Sequence, residues 1–159
     1  MMIETPDNIC QIHVDADACP TGARRSIEHL SHQNQLKLFF YIDDSHELYP
    51  EYGIVRQVGK GHDAVDLALV NKIRRGDIVI TQDYGLAALV LSRGALAIHP
   101  GGMIYSDHNI DALLAERHLA ARARKGGDRS RHPGKRIREH DLQFAEQLKN
   151  MIRIRLESD

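Results

Sequence analysis

Apolar and polar positions along the chain fall into short blocks whose period switches between that of a strand and that of a helix. Ile9–Val14 (ICQIHV) is an apolar-rich run leading into Asp15, and it predicts a first strand. In Thr21–Gln33, residues Ala23, Ile27 and Leu30 recur at i, i+4 and i+7, one face of a helix. Leu36–Ile42 (LKLFFYI) predicts a second strand and Ile54–Val58 (IVRQV) a third, ended by Gly59. A helix follows from about Gly61 to Arg74, and Gly76 stands where a helix commonly stops. Asp77, next to that glycine, reads as a turn residue. Ile78–Thr81 (IVIT) is apolar enough for a strand covered on both faces. A short helix at Tyr84–Ser92, a fifth strand at Ala95–Ile98 and a His99-Pro100-Gly101-Gly102 turn come next. Asn109–Lys125 predicts a helix, with Asn109 as its cap. A last amphipathic helix spans His140–Leu156, with Phe144, Leu148 and Met151 on one side.

Strands alternating with helices predict an α/β fold around a mostly parallel sheet of about five strands, joined by right-handed crossovers. We divide the chain into an α/β domain over 1–125, a basic loop over 126–137 and a C-terminal helix over 138–156 that packs on the same domain. With 159 residues, this is a single domain. In such folds ligands bind beyond the carboxyl ends of the strands, which directs attention to those ends.

Composition narrows the class. Apolar residues make up 42% and charged residues 27%, a globular rather than a disordered balance. No run of apolar residues is long enough to span a bilayer, and the start MMIETPDNIC lacks the features of a secretory signal. Cys10 and Cys19 are too few for a disulfide scaffold, so we expect both reduced and the protein cytoplasmic, with no membrane partner. Cys19, before Pro20, reads as a packing residue more readily than as a nucleophile.

The acidic residues at the predicted strand ends carry the chemistry. Strand alternation would place Asp15 and Asp17 on one side of the first strand's end. Thr81, Gln82 and Asp83 end the fourth strand. If both strands are central, these carboxylates converge, and like charges held together need a cation or a shared proton. Asp66 shares a helix face with Leu69, Val70 and Ile73, which sets a carboxylate beside the core stripe. Asp63 lies in the first turn of the same helix, where a capping role reads as readily as a site role. Oxygen-only donors suit Mg²⁺ or Mn²⁺. Asp15, Asp17, Asp66 and Asp83 are therefore the candidate metal and catalytic set, with Asp63, Thr81 and Asn109 as accessories. Each aspartate taken alone also fits a cap, a turn or the surface.

Charge is unevenly distributed. The net charge is −1, yet Arg117–Arg138 holds nine Lys/Arg against Asp128 alone. Such a stretch fits a solvated tail or a polyanion contact. Read as a contact, it offers phosphate-binding residues at Arg122, Arg124, Lys125, Arg129 and Arg131, and Lys60 adds another before the middle helix. His62, Arg24 and Arg25 are further cations for the neighbourhood of the acids.

At these residues the chain resembles a known family. VDADACP at 14–20, GHDAVDLALV at 61–70, GDIVITQDYGLA at 76–87 and NIDALLAER at 109–117 resemble the YaiI/YqxD family of uncharacterised bacterial proteins, from about residue 10 to 152. That family is similar in turn to PIN-like and NYN-type nuclease domains. The resemblance implies a Rossmann-like three-layer α/β/α sandwich. It also implies Mg²⁺- or Mn²⁺-dependent hydrolysis of RNA or DNA, with Asp15, Asp66 and Asp83 at the matching acidic places and Asp17 as an added acid. RNA is the expected substrate. Two other readings stay open: a phosphatase of the haloacid dehalogenase type using Asp15 as nucleophile and Asp17 as acid/base, and a nucleic-acid-binding module without turnover.

Overall fold

A computed structural model describes residues 9–125 and 136–158. The chain runs β1 (Ile12–Asp15), α1 (Thr21–Gln33), β2 (Leu38–Asp43), β3 (Ile54–Val58), α2 (His62–Lys72), β4 (Ile78–Ile80), α3 (Tyr84–Ser92), β5 (Leu96–Ile98), β6 (Ile104–Tyr105), α4 (Ile110–Lys125) and α5 (Arg138–Glu157). The sheet order is β3-β2-β1-β4-β5-β6. β1 to β5 pair in parallel, and β6 runs antiparallel against β5.

The sixth strand is an addition to the five expected. Its two residues are too few to show a period. It forms because the His99–Gly102 turn folds back on itself: Gly102 N–H donates to the His99 carbonyl at 2.9 Å, and His99 N–H to the Met103 carbonyl at 2.8 Å. The first strand starts later than predicted, at Ile12, and β1, β4 and β5 are only three or four residues long.

Helices cover both faces of the sheet. On one face, Ala23, Ile27 and Leu30 of α1 pack with Phe144, Leu148, Met151 and Ile152 of α5 over Ile12, Val14, Leu38 and Phe40. Removing a side chain such as Phe144 from water is worth about 1.5–3 kcal/mol. The α1–α5 approach is close: a methyl group on Gly22 would collide with the Asp141 carboxylate, which is paired with Arg136 at 2.6 Å. On the other face, Val65 and Leu69 of α2, Leu86 and Val90 of α3 and Ile110 of α4 pack over Phe39, Tyr41, Val79 and Ala97. This is the three-layer Rossmann-like sandwich.

Within that second layer lies a buried polar chain. His13 Nδ1 meets the Tyr41 hydroxyl at 2.8 Å and His13 Nε2 meets Asp77 Oδ2 at 3.0 Å. Asp77 also accepts from the backbone N–H groups of Gln11 and Arg74, each at 2.8 Å. The turn residue of the sequence is thus almost fully buried, and its carboxylate links the starts of β1 and β4. Burial would raise its pKa; the His13 contact and the two backbone donors outweigh it, so the group is held below the usual carboxylate range.

From β1 the chain crosses to β2 on one side of the sheet, and from β4 to β5 on the other. The carboxyl ends of β1 and β4 therefore flank the switch point, where α/β sheets open a crevice.

Candidate functional site

Asp15 is the last residue of β1, and sheet and helices leave it 7% exposed. Thr81, just past β4, donates its hydroxyl to Asp15 Oδ2 at 2.9 Å and accepts the Asp83 N–H at 3.0 Å. The Tyr105 hydroxyl donates to the Thr81 carbonyl at 3.0 Å, so the short β6 braces this corner. Burial pushes the Asp15 carboxyl above its usual range; the Thr81 bond opposes this, and the charges of Asp17 and Asp83 add to it.

Asp83 caps α3, accepting the Leu86 N–H on Oδ1 at 3.1 Å. The same oxygen takes Arg117 Nη1 from α4 at 3.1 Å, and Oδ2 takes His62 Nε2 from the first turn of α2. Burial acts to raise the Asp83 pKa, but the His62 bond, the helix N–H and the Arg117 charge together lower it. The Asp83 hydrogen bond raises the His62 pKa against the effect of burial, and the carboxylates of Asp66, Asp15 and Asp83 add to it.

Asp66 projects from the next turn of α2. Its Oδ2 lies 3.5 Å from His62 Nε2, whereas its Oδ1 is buried without a hydrogen-bond partner. Burial pushes this carboxyl up to about 6, and the acids Asp83, Asp15 and Asp63 add to the shift. Donor atoms of Asp15, His62 and Asp66 all lie within 4.8 Å of one another.

The four predicted acids do not form a single cluster. β1 ends at Asp15, and residues 16–18 turn away, so strand alternation does not extend to Asp17. Asp17 faces β2 instead, accepting the Asp43 N–H at 3.3 Å and lying 3.2 Å from His46 Nδ1. Donor atoms of Asp17, Asp43 and His46 make a second group within 4.8 Å. Asp17 nonetheless lines the same open cleft as Asp15, His62 and Asp83, and Ala18, Gln82, Tyr84 and Arg117 complete its wall. Gln82 Nε2 donates to the Ala18 carbonyl at 2.7 Å, tying the two strand-end loops together.

The accessories separate in the same way. Thr81 stands in the site, between Asp15 and Asp83. Asp63 is exposed and reaches Asp66 only through its charge. Asn109 accepts the Ser106 N–H and donates to the Ile104 carbonyl, both at 2.9 Å, fastening the β6–α4 loop and not the acidic cluster. Lys60 and Arg122 are exposed. Arg129, Arg131 and the side chains of Arg124 and Lys125 lie outside the described residues. Burial pushes the Cys19 thiol up to about 12, the behaviour of a packing residue. Sequence reasoning did not single out Arg117, the first residue of the basic stretch, or the Asp43–His46 pair, whose meeting with Asp17 depends on the β1–β2 register.

A sequence profile of the uncharacterised YaiI/YqxD family matches residues 13–154. The chain belongs to the YaiI/YqxD family. A UPF0178 protein of Clostridium novyi (strain NT) is 46% identical over 142 residues, covering 89% of this chain and 94% of its own. A second, of Clostridium tetani (strain Massachusetts / E88), is 45% identical over 138 residues, covering 87% and 93%. A third, of Ruminiclostridium cellulolyticum, is 46% identical over 138 residues, covering 87% and 89%. No solved structure matches the chain significantly. Among the described residues of this YaiI/YqxD member, no helix is long and apolar enough to cross a membrane.

Proposed function

We propose that this YaiI/YqxD protein is a divalent-cation-dependent nuclease that hydrolyses phosphodiesters in RNA. The observation that carries the reading is the Asp66 carboxylate, which has one oxygen buried without a hydrogen-bond partner and a donor atom within 4.8 Å of those of Asp15 and His62. A buried carboxylate oxygen without a donor is costly and calls for a cation or a proton. Two carboxylates in this position fit Mg²⁺ or Mn²⁺.

Asp15 and Asp66 would hold the cation, with His62 beside it and bound to Asp83, and the cation would supply charge stabilisation at the phosphate and a more acidic water. The chain's own residues do the rest. Thr81 fixes the Asp15 carboxylate, and Asp83 fixes His62 and Arg117. Arg117, half exposed at the mouth, offsets the acidity that would repel a polyanion. Asp17, with Asp43 and His46 behind it, would hold a second cation or orient water. The exposed Arg122 and Lys60 extend the cationic approach.

Calorimetric titration of Mn²⁺ into the wild type, Asp15→Asn and Asp66→Asn, with cleavage of a labelled oligoribonucleotide, tests this. Binding and cleavage should both vanish in the variants. A wild type that neither binds Mn²⁺ nor cleaves RNA with it overturns the reading.

A further inference from the structure

We infer that Tyr84 and Arg117 form a one-nucleotide subsite beside the acidic cluster, with the Tyr84 ring stacking an unpaired base and Arg117 holding its phosphate. The inference rests on the nuclease reading and adds to it a way of choosing unpaired nucleotides.

Tyr84 is the first residue of α3, directly after Asp83, and is only half buried while it lines the cleft. Its ring meets Tyr105 edge-on, with centroids 6.0 Å apart and planes at 68°. Tyr105 is 2% exposed and anchored through its hydroxyl to Thr81. The edge contact thus holds Tyr84 in place while the cleft remains open beside it. One side of Tyr84 packs against the core layer of α2, α3 and α4, and the surface left over lines the charged cleft, where base stacking is a use that suits it.

Among the described residues lining this cleft, Arg117 is the one arginine or lysine. One Nη is committed to Asp83 Oδ1, and the side chain is 54% exposed, so the rest of its donor fork faces solvent. A phosphate there would meet a cation already oriented by Asp83. The cleft volume of about 360 Å³ lies near the small end of ligand pockets, about 300–1,000 Å³. That suits one nucleotide rather than a helix. An A-form duplex keeps its base faces stacked inside and offers none to Tyr84.

The test is anisotropy of a short fluorescein-labelled oligouridylate, and of a hairpin of equal length closed by a non-nucleotide linker so that it has no unpaired base, in EDTA so that binding is read without hydrolysis. Tyr84→Leu keeps apolar bulk and should weaken single-strand binding about 10-fold. It should leave the hairpin unchanged, and Tyr84→Phe should bind like the wild type. Arg117→Gln should weaken both ligands and lessen the salt dependence.

A second readout needs no truncation. The chain has five tyrosines and no tryptophan, so quenching of tyrosine emission reports stacking. Tyr84→Phe should bind normally and lose most of that quenching. Undiminished binding by Tyr84→Leu, equal losses on hairpin and single strand, or no binding by the wild type would each overturn the subsite. Cleavage that persists while Tyr84→Leu binds normally sinks the subsite alone. A Tyr84 effect in a protein that never cleaves sinks the nuclease reading alone.

Discussion

The Thr81 hydroxyl joins Asp15 to Asp83, donating to the carboxylate of one at 2.9 Å and accepting the backbone N–H of the other at 3.0 Å. One small side chain therefore sets the spacing of two acids that come from different strands. Thr81→Val should leave Asp15 buried without its donor and lower stability by about 1–3 kcal/mol. Mn²⁺ binding should weaken with it, while Thr81→Ser keeps both. Thermal melting and Mn²⁺ calorimetry on the pair check this.

Asp66 should trade stability for ligand binding. Burial holds its carboxyl up to about 6. Its folded pKa exceeds the unfolded value, so ionisation costs stability above that pKa, and the cost is relieved as pH falls toward the unfolded value. Asp66→Asn should therefore stabilise the apo protein at pH 7 by on the order of 1 kcal/mol, about 2–4 °C in melting temperature. Added Mn²⁺ should raise the melting temperature of the wild type and not of the variant.

The His13–Asp77 contact gives the opposite sign. Asp77 has its pKa lowered in the fold, so its contribution is present above the unfolded value and is lost as pH falls through the folded one. Asp77→Asn should cost about 3 kcal/mol at neutral pH, because it breaks a buried, hydrogen-bonded pair. The gap between variant and wild type should close below about pH 4. Urea melts across that pH range measure it.

Charge outside the cleft should act on RNA affinity without selecting sequence. Neutralising the exposed Lys60 and Arg122 together should lower the slope of log affinity against log salt by roughly 1.4 for a single strand, about 0.7 per phosphate contact. Melting temperature should stay within about 1 °C, as for surface changes generally. An unchanged slope would place the nucleic acid elsewhere.

What could be read from the sequence follows the length of each pattern. The apolar stripes of α1 and α5 and the continuous apolar strands β2 and β4 are where the periodicity put them. The convergence of Asp15 with Asp66 followed from parallel topology and from the helix face shared with Leu69 and Val70. Two-residue β6 had no pattern to show. Asp17 was placed by extending an alternation past the end of a four-residue strand, where the chain has already turned. Asp77 looked like punctuation after Gly76, because nothing local reveals that His13 of a neighbouring strand lies within reach of it. Arg117 belongs to a helix whose orientation over the cleft only the packing on α3 determines.

The seating of α5 against α1 bears on how the protein is made. α1 emerges early in synthesis, and its apolar stripe waits for Phe144, Leu148 and Met151, which are translated near the other end of the chain. Until then α1 alone covers that side of the sheet, and the layer around Ile27, Leu38 and Phe40 lacks its second helix. Contacts so distant in sequence slow folding and prolong the exposure of apolar surface. The last helix therefore closes this face, and a chain cut before it should expose apolar surface that the full chain keeps covered.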